Sequence, residues 1–234
     1  MGSFRDFFPS DVRTLVSDRS INFALNEKQL DFIPLQQQYL SSQLGLSIEK
    51  IVNIRQVHSN HVMIATSEHL HDKRALRKAD AVVTNLYDVP IAVRTADCLP
   101  IFIYDFKQKC IGLVHAGWRG SQKKVGVHTL NVMKKHWLCH PKDLLVAFGP
   151  GIRDCCYQVG EEFKNYFPED ITPKSNGAYL DLVSVNKRQL LETGVLKDHI
   201  FDCRICTCCD PNCFSYRREG EKAGRMISLM MIQS

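Results

Sequence analysis

Two short runs of large apolar residues, 101–104 and 110–114, flank the largely polar pentapeptide Asp105-Phe106-Lys107-Gln108-Lys109, and no other feature constrains the fold as much. Runs this short suit strands, and a connection of that length closes a hairpin. Pairing Tyr104 with Lys109 across a four-residue turn sets Cys98 opposite His115. Directly opposed residues have Cβ atoms about 4.5–5.5 Å apart, close enough for a shared metal or a thiolate-imidazolium pair. A slip of one residue would put the two side chains on opposite faces. Pro100 removes one ladder donor, so the pairing near Cys98 is expected to be irregular.

His58 closes a strand-like run at 51–57 in which Val52 and Ile54 alternate toward one face. One Cys with two His makes a three-ligand set for zinc that leaves a fourth position for water, the arrangement of catalytic sites. From spacing alone, a lone Cys and two lone His are more often ordinary core or surface residues. A cysteine nucleophile at Cys98 with His115 as its base is the metal-independent alternative.

With 234 residues and 44% hydrophobic content, the chain is expected to form a single domain spanning 1–234. Thirty basic against 25 acidic residues give a net charge of +5, spread along the sequence. That excess suits a site for a small anion such as phosphate and carries no nucleic-acid signature. The apolar stretches are too short to span a bilayer, and residues 1–13 lack the order of a signal peptide. Asp6 stands where a myristoylation motif needs Ser or Thr. A cytoplasmic protein without membrane or nucleic-acid partners is expected, as a monomer or a homodimer. In that setting the ten cysteines read as reduced thiols.

Helical spacing marks residues 30–44, with Gly45 as C-cap, a run from Gly117 to about Leu138, and segments 159–167 and 182–192, the last capped by Asp181 and Gly194. Strands are expected within 12–26 and at 81–84, 91–94 and 144–148, the last ending at Gly149-Pro150-Gly151. This mixture predicts an α+β class fold, a sandwich with hairpins inside its sheets. Gly117-Trp118-Arg119-Gly120 lies between the His115 strand and a helix, where backbone N–H groups and Arg119 would hold an anion. Arg217, Arg218 and Arg225 add candidate members of an anion clamp. Cys206, Cys208, Cys209 and Cys213, with Cys203 before them and Cys155-Cys156 upstream, form a compressed cluster. It matches poorly the two separated pairs of a structural zinc site, so buried reduced thiols are expected there, with metal capture or an oxidation-prone pair as the lesser alternatives.

The strings Arg55-Gln56-Val57-His58, Arg94-Thr95-Ala96-Asp97-Cys98-Leu99-Pro100 and Val114-His115-Ala116-Gly117-Trp118-Arg119-Gly120 resemble the signature of the laccase-domain family, once called multicopper polyphenol oxidases. Its members are now described as purine nucleoside phosphorylases with adenosine deaminase activity. Asp80-Ala81-Val82-Val83-Thr84, Phe148-Gly149-Pro150-Gly151-Ile152 and Phe214-Ser215-Tyr216-Arg217-Arg218 with Gly224-Arg225 follow the same pattern, so the resemblance covers residues 50–232. It implies a four-layer α/β/β/α sandwich with mixed sheets and one Zn2+ on His58, Cys98 and His115, copper being the lesser alternative. It further implies phosphorolysis of adenosine, inosine, guanosine and S-methyl-5'-thioadenosine, and deamination of adenosine. Asp97 joins the three ligands as a catalytic candidate, with a supporting role as its alternative. Gln56, Gly117, Arg119, Arg217 and Arg225 are the expected substrate- and phosphate-binding set. The family's N-terminal motif has no clear counterpart in the first fifty residues, Ser20 to Asn26 being at most a degraded version. A multicopper oxidase needs many His ligands, commonly in His-x-His pairs, and phenol oxidation is not expected of this chain.

Overall fold

The computed structural model describes residues 6–24, 33–45, 51–70 and 76–234. Its strands are β1 (Val12–Val16), β2 (Ile54–Arg55), β3 (Val62–Ile64), β4 (Arg77–Lys78), β5 (Ala81–Thr84), β6 (Ile91–Thr95), β7 (Leu99–Asp105), β8 (Cys110–Ala116), β9 (Leu144–Phe148), β10 (Gln158–Val159), β11 (Ile171–Lys174), β12 (Gly177–Leu180), β13 (Ile200–Asp202) and β14 (Met226–Ile232). Its helices are α1 (Pro34–Leu44), α2 (Trp118–Gln122), α3 (Val125–Trp137), α4 (Phe163–Tyr166), α5 (Leu182–Glu192) and α6 (Tyr216–Glu219).

A six-stranded mixed sheet in the order β13-β9-β7-β8-β5-β3 forms the centre, and every residue of β7 and β8 is buried. These strands read as continuous apolar runs because both of their faces are covered. Leu99, Ile101 and Ile103 point with Val114 toward Leu130 and Met133 of α3 and Val185 and Leu190 of α5. Phe102, Tyr104 and Leu113 point the other way, against Val12, Ile91, Val93, Met230 and Ile232 of an antiparallel sheet in the order β1-β14-β6. The far face of that second sheet, carrying Leu15, Ala92, Ile227 and Leu229, packs on Leu40 of α1 and on Phe23. The layers therefore run helix, sheet, sheet, helix within one domain. Gly112 keeps the outer helix close, since a Cβ there would sit 3.3 Å from atoms of Met133, Thr129 and Val83.

Four sequence expectations are corrected or refined. The hairpin closes with Asp105 paired to Cys110, and Pro100, not Cys98, faces His115. Asp105 Oδ1 accepts the N–H groups of Lys107 and Gln108, both at 2.8 Å, and Lys109 is left-handed at φ 50°, which fixes the loop at residues 106–109. The expected helix after Gly117 is two helices. Gln189 of α5 donates to the Ser121 carbonyl, Lys124 N–H also turns to it, and Lys124 is left-handed at φ 54°. Segment 159–167 is not one helix, because Val159 pairs with Ala178 in the small sheet β10-β12-β11 and only one turn, α4, remains. The first helix begins at Pro34, and the start expected near Leu30 lies outside the described residues. The strand near 12–26, those at 81–84, 91–94 and 144–148, and the Asp181 cap, which accepts Val183 N–H at 2.9 Å, form as expected.

Candidate metal centre

Strand direction gathers the chemistry at one end of the six-stranded sheet. Strands β5 and β7 run antiparallel to β8, β3 runs parallel to β5, β9 is antiparallel to β7 and β13 parallel to β9. The segments entering β3, β5 and β7 and those leaving β8, β9 and β13 therefore lie together. The entering segments carry His58, Asp80 and Cys98, His115 stands at the end of β8 itself, and the segments leaving β9 and β13 carry Tyr157 and the C-terminal cysteines.

The β5–β8 register, Ala81 to Val114, sets Asp80 directly opposite His115 one residue further on. Asp80 Oδ1 meets His115 Nδ1 at 2.9 Å, and Asp80 is wholly buried. The same carboxylate accepts the backbone N–H groups of Val57, His58 and Ser59 and the Ser59 hydroxyl. One buried anion thus shapes the His58 loop and directs His115 Nε2 away from itself. His58 is left-handed at φ 56°, a backbone conformation this set of N–H bonds holds in place. Burial opposes the Asp80 charge, but His115 and Ser59 more than offset it and hold the carboxyl at about 2.

Cys98 precedes β7, after Asp97 at φ 82°, and its Sγ lies 3.9 Å from His58 Nε2. The two imidazoles meet edge to face with centroids 4.9 Å apart. One ligand atom from each of His58, Cys98 and His115 falls within 4.8 Å of the others. Burial would raise the Cys98 thiol, yet the His115 charge and hydrogen bonds from His115 and His58 bring it down to about 6. Burial would lower His115, yet the Cys98 thiolate and Asp80 raise it to about 9. Gly117 leaves the room required: a Cβ there would stand 2.9 Å from Cys98 Sγ and 3.0 Å from His58 Cδ2.

These residues fit a divalent cation. Two neutral imidazole nitrogens and a thiolate match zinc chemistry, the carboxylate behind His115 fixes its tautomer, and tetrahedral bonds of about 2.0–2.3 Å would place the donors roughly 3.3–3.8 Å apart. The expected adjacency of Cys98 and His115 is therefore met, although by a diagonal relation at the end of the hairpin and not by direct opposition.

The other predicted residues divide. Asp97 is 8% exposed, and its carboxylate accepts the Thr207 hydroxyl and the Arg217 backbone N–H, each at 2.6 Å. Both ends of the Gln56 amide pair with the Arg94 backbone, Nε2 donating to the carbonyl and Oε1 accepting the N–H. Arg225 donates to the Ala223 and Gly224 carbonyls. Arg218 donates to the carbonyls of Thr207, Cys208, Asp210 and Cys213. Arg119 is exposed, its guanidinium 4.3 Å from the Trp118 ring centroid, and α2 behind it has only five residues. The helix dipole available there is accordingly shorter than the sequence spacing predicts. Arg217 lies 5.4 Å from the Tyr157 ring centroid and donates to the Gln158 carbonyl.

Sequence reasoning missed Asp80 and Tyr157. The opposition of Asp80 to His115 follows from pairing β5 with β8, a relation the hairpin pattern does not contain. Tyr157 is raised above the ordinary phenol range by burial and then by the Cys98 charge, with Arg217, Asp97 and Arg119 also acting on its hydroxyl. The compressed cysteine cluster also resolves differently from expectation: Cys206 and Cys209 converge with Cys155 and Cys156, and Cys155 and Cys209 are exposed. A single His-x-His does occur, His69-Leu70-His71; His69 Nδ1 bonds to the Thr66 hydroxyl and backbone N–H, and His71 lies outside the described residues.

A two-sheet sandwich with a Cys/His₂ cluster at one sheet end defines the class, and the chain belongs to the multi-copper polyphenol oxidoreductase laccase family, whose sequence model matches residues 20–233. It is 35% identical over 155 residues to a purine nucleoside phosphorylase of Aquifex aeolicus, covering 66% of this chain and 72% of that protein. It is 31% identical over 204 residues to the adenosine deaminase RL5 from an unknown prokaryotic organism, covering 81% and 78%. The crystal structure of YlmD from Geobacillus stearothermophilus superposes with a TM-score of 0.85 at 25% identity, over 96% of this chain and 93% of that one. Among the described residues no helix is long and apolar enough to cross a membrane.

Proposed function

We propose that this chain is a Zn2+-dependent purine nucleoside phosphorylase that also deaminates adenosine, acting on adenosine, inosine, guanosine and S-methyl-5'-thioadenosine. The observation that carries the reading is the convergence of His58, Cys98 and His115 in front of Asp80. The names of the relatives supply the reaction class. Zinc bound there supplies Lewis acidity at neutral pH.

The chain's own groups do the remaining work. Asp80 takes the Nδ1 proton side of His115 and leaves Nε2 free as a donor atom. Tyr157, raised above the ordinary phenol range, keeps its hydroxyl proton and donates to substrate. Arg217 and Arg119, whose charges reach that hydroxyl, supply positive potential for phosphate as it attacks C1′. Asp97 is a positioning residue: through Thr207 and Arg217 it fixes the wall of the site.

Purified protein incubated with adenosine and phosphate is expected to yield adenine and inosine, and His58→Ala to abolish both. Absence of both products from the unaltered protein would overturn the assignment. One observation favours a second reading, a cysteine hydrolase without metal: Cys98 lowered to about 6 beside His115 raised to about 9 is a thiolate-imidazolium pair. Chelation separates the two, since only the cysteine enzyme keeps full turnover once stripped of metal. Copper-dependent phenol oxidation has less support, because among the described residues the candidate metal clusters hold two histidines in all, short of the several His ligands of a multicopper centre.

A further inference from the structure

The C-terminal cysteines were expected to be buried thiols, but two of them meet two upstream cysteines outside the catalytic cluster. The sulfurs of Cys155, Cys156, Cys206 and Cys209 all lie within 4.8 Å of one another. Cys156 to Cys209 is 3.3 Å and Cys155 to Cys209 is 3.6 Å. Four thiolates around one zinc at about 2.3 Å stand roughly 3.8 Å apart, whereas a disulfide requires about 2.05 Å. We propose that these four cysteines bind a second, structural Zn2+ through an all-thiolate site distinct from His58, Cys98 and His115.

Local backbone explains how the four come together. Cys206-Thr207-Cys208-Cys209 is a C-x2-C segment folded as a turn, closed by Asp210 N–H on the Cys206 carbonyl at 2.9 Å. Cys155-Cys156 sits in a second turn, in which the N–H groups of Cys156 and Tyr157 both reach the Arg153 carbonyl. That turn lets neighbouring side chains project to one side, which a strand would forbid. Gly151 forms a parallel bridge with Cys206, extending the β9–β13 pairing into the two loops.

Polar groups of the backbone surround the four sulfurs. Backbone N–H groups of Arg153, Cys209 and Cys208 point at the Cys206 sulfur. Thiols crowded this closely ionise together only when a cation balances them. Arg218, bonded to the carbonyls of Thr207, Cys208 and Asp210, adds positive charge behind the turn. Bound zinc would pin the loop carrying Tyr157 to the loop carrying Thr207, the partner of Asp97. It thereby braces the catalytic pocket without touching its chemistry.

The test separates the two centres. The 234-residue His58→Ala/Cys98→Ser protein, prepared without chelator, is expected to retain one equivalent of zinc by elemental mass spectrometry. Its cobalt-substituted form should show the intense thiolate charge-transfer and visible bands of tetrahedral sulfur coordination. Adding Cys209→Ser should lower zinc at least about tenfold. Should that variant fail to fold, the cobalt spectrum of the protein with all four cysteines intact decides the matter alone. Zinc absent from the double variant, a cobalt spectrum without tetrahedral thiolate bands, or a disulfide among the four cysteines in peptide mapping would each overturn the proposal.

Discussion

The Asp80 carboxylate connects a backbone loop to an imidazole, so its replacement separates site formation from folding. Asp80→Asn keeps the side-chain shape but cannot serve three backbone N–H groups and His115 Nδ1 as an anion does. Zinc affinity at the His58 site is expected to fall about 10–100-fold, read by competition with a chromophoric chelator. Unchanged affinity would remove Asp80 from the centre. In metal-free protein the depressed Cys98 value means that the thiolate is the major form above about pH 6 and is lost below it. Alkylation of Cys98, followed by peptide mass spectrometry, should therefore climb through about pH 6 and level off by about pH 7.5. A thiol of ordinary value, near 8.5, would still be climbing there. At this scale the sequence exposed His58, Cys98 and His115, which the structure brings together, because Cys and His are chemically distinctive and fall in recognisable strings. Asp80 was hidden because its role depends on which strand pairs with β8.

The turn leaving β8 is as specific as the Cys98 and His58 side chains it accommodates. Gly117 has an ordinary extended backbone, so its requirement is purely one of space. Gly117→Ala is expected to displace Cys98 and His58 and to lower zinc content at their site several-fold while the far-ultraviolet circular dichroism stays unchanged. Full zinc occupancy in that variant would show that the neighbours can move aside. Strand and helix identities were largely legible, since β7, β8, β9 and α5 carry long, consistent patterns. The failures occurred where a tertiary contact competes with the local pattern. Gln189 claims the Ser121 carbonyl and ends α2, while pairing with β12 draws Val159 out of a helix. The hairpin register was misjudged because the side chain of Asp105, rather than loop length, sets where the turn closes.

Across the molecule, the two sheets share a core in which Phe102 is fully buried between β7 and the second sheet. Phe102→Ala is expected to cost about 3–5 kcal/mol, measured from the urea midpoint, and a cost below about 1 kcal/mol would mean that the sheets collapse to fill the gap. Composition showed that a large core exists, but the partnering of β14 joins it to β1 across 212–220 positions and to β6 across 131–139, and left no trace in local periodicity. That partnering has a consequence for how the protein is made. The middle strand of the second sheet is the last of its three to be synthesised. Until Met226–Ile232 emerge, β1 and β6 have no common neighbour and the underside of the central sheet has no lid. Arg217, which Asp97 holds beside the Cys98 turn, is likewise translated long after that turn. A nascent chain therefore carries His58, Cys98 and His115 well before it can enclose them, and the cluster is expected to close only after β14 has been translated.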